Sequence, residues 1–144
     1  MIEIPESLVE LCLAQQGDVE CDDRAAAAQE LERLGIPGDS QFTAFYLRFC
    51  PTVFSSPHSY EELNDLTRGS VRDATAFVHE TWELPHEFVC LTSCEGEGCY
   101  LYSKETGAVY DFSLADRDTF VAQLPQPIAP DIFRFIEWYL GPGT

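Results

Sequence analysis

The sequence has few basic residues. Its 144 residues contain 8 Lys plus Arg, of which Lys104 is the single lysine, against 25 Asp plus Glu. The formal net charge of −17 argues against nucleic acid or an anionic membrane as a partner. The acids occur in both halves of the chain, so the whole surface should be negative. Two explanations stay open: the charge keeps a monomer soluble, or it attracts a basic partner.

The sequence also lacks long apolar runs. No segment approaches the roughly 18 consecutive apolar residues that a membrane helix needs. The first residues, Met1 to Glu6, do not form a basic region followed by an apolar one, and we therefore expect a cytoplasmic protein. In that compartment the six cysteines should be reduced and mostly buried.

Signatures of common catalytic sites are missing as well. The sequence has no Gly-rich phosphate loop, no G-x-S-x-G nucleophile elbow and no H-E-x-x-H motif. His58 and His79 have no nucleophile near them in the sequence. The carboxylates of Glu95 and Glu97 flank Gly96 on a predicted turn, where acids are usually just exposed. We therefore expect a protein that is not an enzyme and has no cofactor.

One group of residues approaches a metal-binding pattern. His86, Cys90, Cys94 and Cys99 place four possible ligands within 14 residues. Their spacing is not the paired C-x-x-C of zinc sites, and Cys90 and Cys99 fall in predicted strands, where a thiol is usually buried. The sequence therefore predicts neither a metal ion nor a disulfide at these cysteines.

The composition is nevertheless that of a folded protein. Hydrophobic residues make up 45% of the chain and aromatic residues 12%, which excludes the aromatic-poor profile of disorder. A chain of this length buries about 68–70% of its unfolded surface in one domain. We expect a single domain over residues 1–144.

Helical patterns dominate the first half. Residues 5–15 predict a short helix, and Asp22 is the predicted cap of a second helix that ends at Gly35. A third helix should begin at Asp39 or Ser40. Its apolar residues recur at helical spacing and should lie in the core; they are Phe42, Phe45, Tyr46 and Phe49.

Two further segments in the middle of the chain suggest helices. Ser59 followed by Glu61 and Glu62 predicts a short capped helix with acids in its first turn. Residues 70–82 are ambiguous between a helix and an irregular connection.

The hydrophobic period changes from helical to alternating near Pro85. The runs 88–92, 99–103 and 108–112 predict three short strands in an antiparallel meander, with one face packed on helices. Residues 130–140 predict a closing helix between Pro130 and Gly141. The predicted class is α+β, in which N-terminal helices pack on the meander and a C-terminal helix closes it.

A set of short motifs in this order resembles a known family. They are Leu34-Gly35-Ile36-Pro37, Ser59-Tyr60-Glu61-Glu62-Leu63, Leu84 to Val89, Gly96 to Leu101, Gly107 to Phe112 and Phe133 to Leu140. Over residues 22–140 the chain resembles the SUKH superfamily, which includes yeast cell-wall-synthesis regulators and bacterial immunity proteins. The resemblance implies an α+β domain without catalytic residues.

The resemblance also implies a function. It indicates an immunity protein that binds and neutralises a toxin delivered between competing cells, and the net charge of −17 suits a basic toxin. The alternative is a non-catalytic regulatory or scaffold domain that binds another protein. Charged groups on polar loops and helix edges can contact a partner without disturbing the core, so the predicted contacts are Glu61, Glu62, Asp65, Glu95 and Glu97.

Overall fold

A helical half precedes the sheet, and a final helix follows it. The computed structural model describes residues 2–142 and contains six α-helices and three strands in that range. The helices are α1 Glu6–Leu13, α2 Arg24–Leu34, α3 Gln41–Arg48, α4 Ser70–Glu80, α5 Arg117–Ala122 and α6 Ile132–Leu140; the strands are β1 Phe88–Cys90, β2 Gly98–Ser103 and β3 Val109–Ser113. The predicted α+β class is confirmed.

Three helices, α2, α3 and α6, begin where a side chain accepts a hydrogen bond from an amide of the first turn. Asp23 Oδ1 accepts a 3.0 Å hydrogen bond from the amide of Ala26, so the cap of α2 lies one residue later than the predicted Asp22. Ser40 caps α3, as one of the two predicted candidates. Gly35 ends α2 in the left-handed region with φ 74°, a conformation that glycine adopts without a steric penalty.

The three strands form an antiparallel meander in the order β1-β2-β3. Val89 pairs with Tyr102 across β1 and β2, and Leu101 pairs with Tyr110 across β2 and β3. The predicted meander is therefore confirmed, and its pairing is antiparallel throughout.

Helices pack on both faces of this sheet, whereas the sequence predicted helices on one face. One face lies in a core cluster with residues of α1, α2, α3 and α6, and the other packs against α4 and α5. The first face presents Val89, Tyr100, Tyr102 and Val109, and the second presents Phe88, Cys90, Cys99, Leu101, Tyr110 and Phe112. The second packed face depends on α4. It could not be predicted because residues 70–82 show no clear helical pattern.

The aromatic stripe of α3 is in the core, as predicted. Phe42 and Phe45 are fully buried, and Tyr46 and Phe49 are 2% and 1% exposed. The Phe42 ring stacks on Tyr46 at 4.6 Å between centroids and contacts Tyr102 of the sheet at 4.7 Å. The stripe thus joins α3 to the first face of the sheet.

The predicted acidic helix after Ser59 does not form. The segment is extended, because Leu63 makes an antiparallel bridge with Thr92 and the amide of Asn64 donates to the carbonyl of Leu91 at 2.8 Å. Pairing with the chain beyond β1 satisfies the backbone groups that a helix would otherwise satisfy internally.

No helix among residues 2–142 is both long and apolar enough to span a membrane.

Candidate functional site

A cleft of about 650 Å³ opens between the extended segment 56–61 and one end of strands β2 and β3. Its wall carries two carboxylates, Glu61 and Asp111, and two tyrosines, Tyr60 and Tyr100. Gly96 lies at its edge, so the cleft adjoins the loop that carries Glu95 and Glu97. We call residues 95–97 the acidic loop.

Glu61 is buried beneath the acidic loop rather than exposed on a helix. Its exposed fraction is 6%, and its Oε2 atom accepts hydrogen bonds from the Ser93 hydroxyl at 2.7 Å and from the Glu95 amide at 3.3 Å. Burial raises the pKa of the Glu61 carboxyl, and the two hydrogen bonds oppose that shift. Glu61 therefore holds the loop in place, and the expectation that it presents its charge to solvent is wrong.

Asp65 has a similar structural role at the start of α4. It is 4% exposed, and its Oδ1 atom accepts a 2.9 Å hydrogen bond from the hydroxyl of Ser70, the first residue of that helix. A buried carboxylate with this partner orders the helix entry. The expectation of an exposed Asp65 is therefore also wrong, whereas Glu62, Glu95 and Glu97 are exposed as predicted.

The acidic loop has a constrained backbone. Gly96 has φ 66° and Glu97 has φ 60°, and the second value is uncommon for a residue with a side chain. A Cβ on Gly96 would lie 2.8 Å from the hydroxyl oxygen of Tyr60. The loop is thus held from below by Glu61 and packed closely against Tyr60.

Tyr60 is the residue of this site that sequence reasoning missed. Its exposed fraction is 72%, although the next residue in the cleft wall, Glu61, is buried. Tyrosine is enriched among the residues that dominate binding energy in interfaces. Its position next to Glu61 and Glu62 in the sequence was the available signal, but the helix predicted there gave it no role.

A second acidic depression lies elsewhere on the molecule. Its volume is about 810 Å³, and its lining includes Asp18, Glu20 and Asp22 together with Arg68. The arginine offsets part of the negative charge there. Among residues 2–142, no arginine or lysine lines the cleft beside the acidic loop. The acidic loop is therefore the stronger candidate for contact with a cation-rich partner.

Three of the four predicted metal-ligand candidates come together. The Sγ atoms of Cys90, Cys94 and Cys99 all lie within 4.8 Å of one another, and Cys99 also lines the cleft. Hydrogen bonds from the other two thiols lower the pKa of Cys94. The bond with Cys94 raises the pKa of Cys90, and the bonds with Cys90 and Cys94 raise the pKa of Cys99.

His86 lies outside this thiol cluster. Its ring stacks on His79 at 4.5 Å, and Nε2 of His79 donates to the carbonyl of Phe88 at 2.7 Å. All six cysteines are free thiols; three are buried, and Cys21, Cys50 and Cys94 are half-buried.

The chain has no significant match among protein-family models, curated proteins or solved structures. Its resemblance to the SUKH superfamily therefore stays a prediction from the sequence motifs.

Proposed function

We propose that this protein is an immunity protein, which binds a basic toxin and neutralises it by stoichiometric contact through the acidic loop. The proposal rests on the ordered conformation of the acidic loop and on the exposure of its charges. Glu95 and Glu97 are exposed on a segment whose conformation is held by the buried Glu61. The motifs shared with the SUKH superfamily supply the class of partner.

Preorganisation supports a binding role for the loop. Association costs free energy whenever flexible groups are ordered at the interface, so a loop that is already ordered binds with a smaller loss. The hydrogen bonds from Ser93 and Glu95 to Glu61 supply this order before any partner arrives. Tyr60, with its hydroxyl near Gly96, adds an exposed aromatic side chain beside the charges.

The overall charge supports rapid capture of a basic partner. A net charge of −17 creates a negative field around the whole molecule, and complementary fields raise association rates by orders of magnitude. Fast capture matters for an immunity protein because a toxin that acts inside the cell must be bound before it damages its target. The local charges of the acidic loop would then orient the encounter.

The same proposal includes a location and a free state. We propose that the protein acts in the cytoplasm, which suits its six free thiols. We also propose that it is a monomer before it binds, because the charge of −17 makes two copies repel each other.

The experiment begins with identification of the partner. The tagged protein is used to capture binding proteins from its native cells, and mass spectrometry identifies them. The captured protein's toxic domain is then expressed in a sensitive host with and without this protein. The proposal predicts a basic protein that kills the host alone and is harmless in the presence of an equimolar amount of this protein.

Two outcomes would overturn the proposal. A captured partner that is harmless when expressed alone would favour the regulatory or scaffold role instead. A toxic partner that still kills in the presence of this protein, although both are expressed and bound to each other, would exclude neutralisation.

A further inference from the structure

The thiol cluster, Cys90, Cys94 and Cys99, forms within the hairpin of β1 and β2. Cys90 ends β1 and Cys99 is the second residue of β2, and both side chains belong to the second face of the sheet. Cys94 lies in the connection between these strands and returns to the same point. The Sγ atoms of Cys90 and Cys94 are 3.9 Å apart.

These separations fit three sulfurs around one ion. A thiolate sulfur lies about 2.3 Å from a bound zinc ion, so three sulfurs that share an ion are separated by about 3.8–4.0 Å. The observed separation of 3.9 Å for one pair is already in this range. The other two pairs of sulfur atoms are at most 4.8 Å apart. They would have to approach each other by less than about 1 Å to share an ion at the same bond length.

The surroundings also suit a soft ion. Cys90 is fully buried and Cys99 is 2% exposed, among aromatic and aliphatic side chains of the second face. Cys94 is half-buried, which gives an ion a path of entry from the solvent. Thiolates in an apolar pocket favour thiophilic ions such as Zn²⁺ and Cu(I) over hard cations such as Mg²⁺ and Ca²⁺.

A disulfide accounts for the arrangement less well. It would join two of the sulfurs at about 2.05 Å and leave the third thiol unused, whereas the structure brings all three sulfurs to within 4.8 Å of one another. The three cysteines converge although their spacing lacks the paired C-x-x-C motif, and they do so without His86.

We propose that Cys90, Cys94 and Cys99 form a binding site for a thiophilic metal ion, Zn²⁺ or Cu(I), held by three thiolates. Each thiol that becomes a ligand releases its proton to the solvent as the metal–sulfur bond forms. Cu(I) is satisfied by the three sulfurs, and Zn²⁺ takes a fourth ligand, such as water, from the side of Cys94. The site would fasten the connection between β1 and β2 to the sheet, and it does not depend on the proposed immunity function.

The test is a metal titration of the reduced full-length protein without oxygen. Zn²⁺ and Cu(I) are each added in competition with a chromophoric chelator, and Co²⁺ replaces Zn²⁺ in a parallel titration because thiolate-bound Co²⁺ gives an intense charge-transfer absorption. The proposal predicts one equivalent of tightly bound ion. A site that binds Cu(I) but neither Zn²⁺ nor Co²⁺ is assigned to Cu(I), and one that also binds Zn²⁺ and Co²⁺ at one equivalent is assigned to Zn²⁺.

Two serine substitutions provide the comparison. Cys94→Ser removes a half-buried ligand and should weaken binding by about 100-fold or more, since even the loss of an outer partner of a metal ligand costs 10–100-fold. Cys21→Ser removes a half-buried thiol outside the cluster and should leave the affinity unchanged. Circular dichroism verifies that both variants are folded, and Cys94→Ala serves as the second variant if Cys94→Ser is not.

The proposal is overturned if the wild-type protein fails to bind one equivalent of either ion. Equal affinity in Cys94→Ser and Cys21→Ser, or loss of the charge-transfer band in both, would overturn it too.

Discussion

The Ser93 hydroxyl donates a 2.7 Å hydrogen bond to Oε2 of Glu61. The same oxygen accepts from the Glu95 amide, so one buried carboxylate holds both sides of the entry to the acidic loop. The tyrosine of α6, Tyr139, donates to the backbone carbonyl of Glu61 at 2.8 Å. The position of the acidic loop is thereby linked to the C-terminal helix and the core.

Removal of this carboxylate should destabilise the protein. Glu61→Ala leaves the Ser93 hydroxyl and the Glu95 amide without their acceptor, and each such loss costs about 1–3 kcal/mol when the group is buried. We expect the free energy of unfolding to fall by about 2 kcal/mol in urea denaturation. The control Glu62→Ala, which changes an exposed side chain, should stay within about 0.5 kcal/mol of wild type. Equal losses in the two variants would contradict the anchoring role.

The stability should also depend on pH through Glu61. Burial raises the pKa of its carboxyl above the ordinary value of 4.5, so the folded protein holds this proton more tightly than the unfolded chain. The resulting stabilisation is complete below the ordinary pKa and is lost as the pH rises through the raised one.

Glu61→Gln lacks this titration and therefore provides the comparison. We expect the free energy of unfolding of wild type, relative to Glu61→Gln, to decrease as the pH rises from the ordinary pKa of the carboxyl towards neutrality. Urea denaturation of both proteins at a series of pH values measures the difference. A difference that increases with pH would show that the hydrogen bonds, rather than burial, dominate the pKa shift.

The single lysine should contribute through the end of α2. Lys104 Nζ donates a 2.9 Å hydrogen bond to the carbonyl of Leu34, the last residue of that helix. A cation at this end also interacts favourably with the helix dipole. Lys104→Met should therefore lower the free energy of unfolding by about 1 kcal/mol, as measured by urea denaturation.

Arg24→Met is the matched control because it removes a cation from the opposite end of α2. The dipole disfavours a positive charge there, so this variant should be as stable as wild type or slightly more stable. A loss of stability equal to that of Lys104→Met would contradict the capping role of Lys104.

Alanine substitutions at two glycines with positive φ should distinguish backbone strain from a clash with Tyr60. Gly96 has φ 66°, and a Cβ at this position would lie 2.8 Å from the Tyr60 hydroxyl oxygen. Gly107 has φ 80°, and a Cβ there would meet no described atom within 4 Å. Alanine at either position costs about 1 kcal/mol for the left-handed backbone. Thermal unfolding should show a larger loss for Gly96→Ala. In the Tyr60→Phe background this excess should disappear, and its persistence would contradict the close packing of Tyr60 on the loop.

The parts of the fold that were predictable are those with local signals. Ser40 is followed by an aromatic stripe at helical spacing, and the sheet strands are separated by turn residues, so α3 and the meander could be found from short windows of sequence. The burial of both sheet faces could not be predicted in this way. It depends on α4, whose apolar residues gave no decisive period, and on its packing against β1.

The candidate site was harder to predict because its partners are distant in sequence. In the sequence Glu61 looks like a solvated acid, because its partner Ser93 is 32 residues away. The helix expected at Ser59 is replaced by pairing between Leu63 and Thr92. Cys94 reaches Cys90 and Cys99 only because the connection between two paired strands folds back on the sheet. The long-range pairing of Glu61 with Ser93 and of Leu63 with Thr92 leaves no periodic pattern in the sequence. The convergence of the three thiols depends on the path of a short loop, which their spacing does not reveal.

The most direct test of the proposed function is the association rate of this protein with its purified partner. Glu95→Lys combined with Glu97→Lys reverses the acidic loop, and Asp18→Lys combined with Asp22→Lys makes the same change in charge at the second depression. Stopped-flow association is measured at about 0.05 and 0.5 M salt, where the Debye length falls from above 10 Å to below 8 Å.

We expect the loop variant to associate at least about tenfold more slowly than the control at low salt, because charges at the contact steer the encounter most strongly. High salt should slow wild type and bring the two variants closer together. Association of the loop variant at the wild-type rate in low salt, or a greater loss in the control variant, would contradict the assignment of the acidic loop as the binding surface.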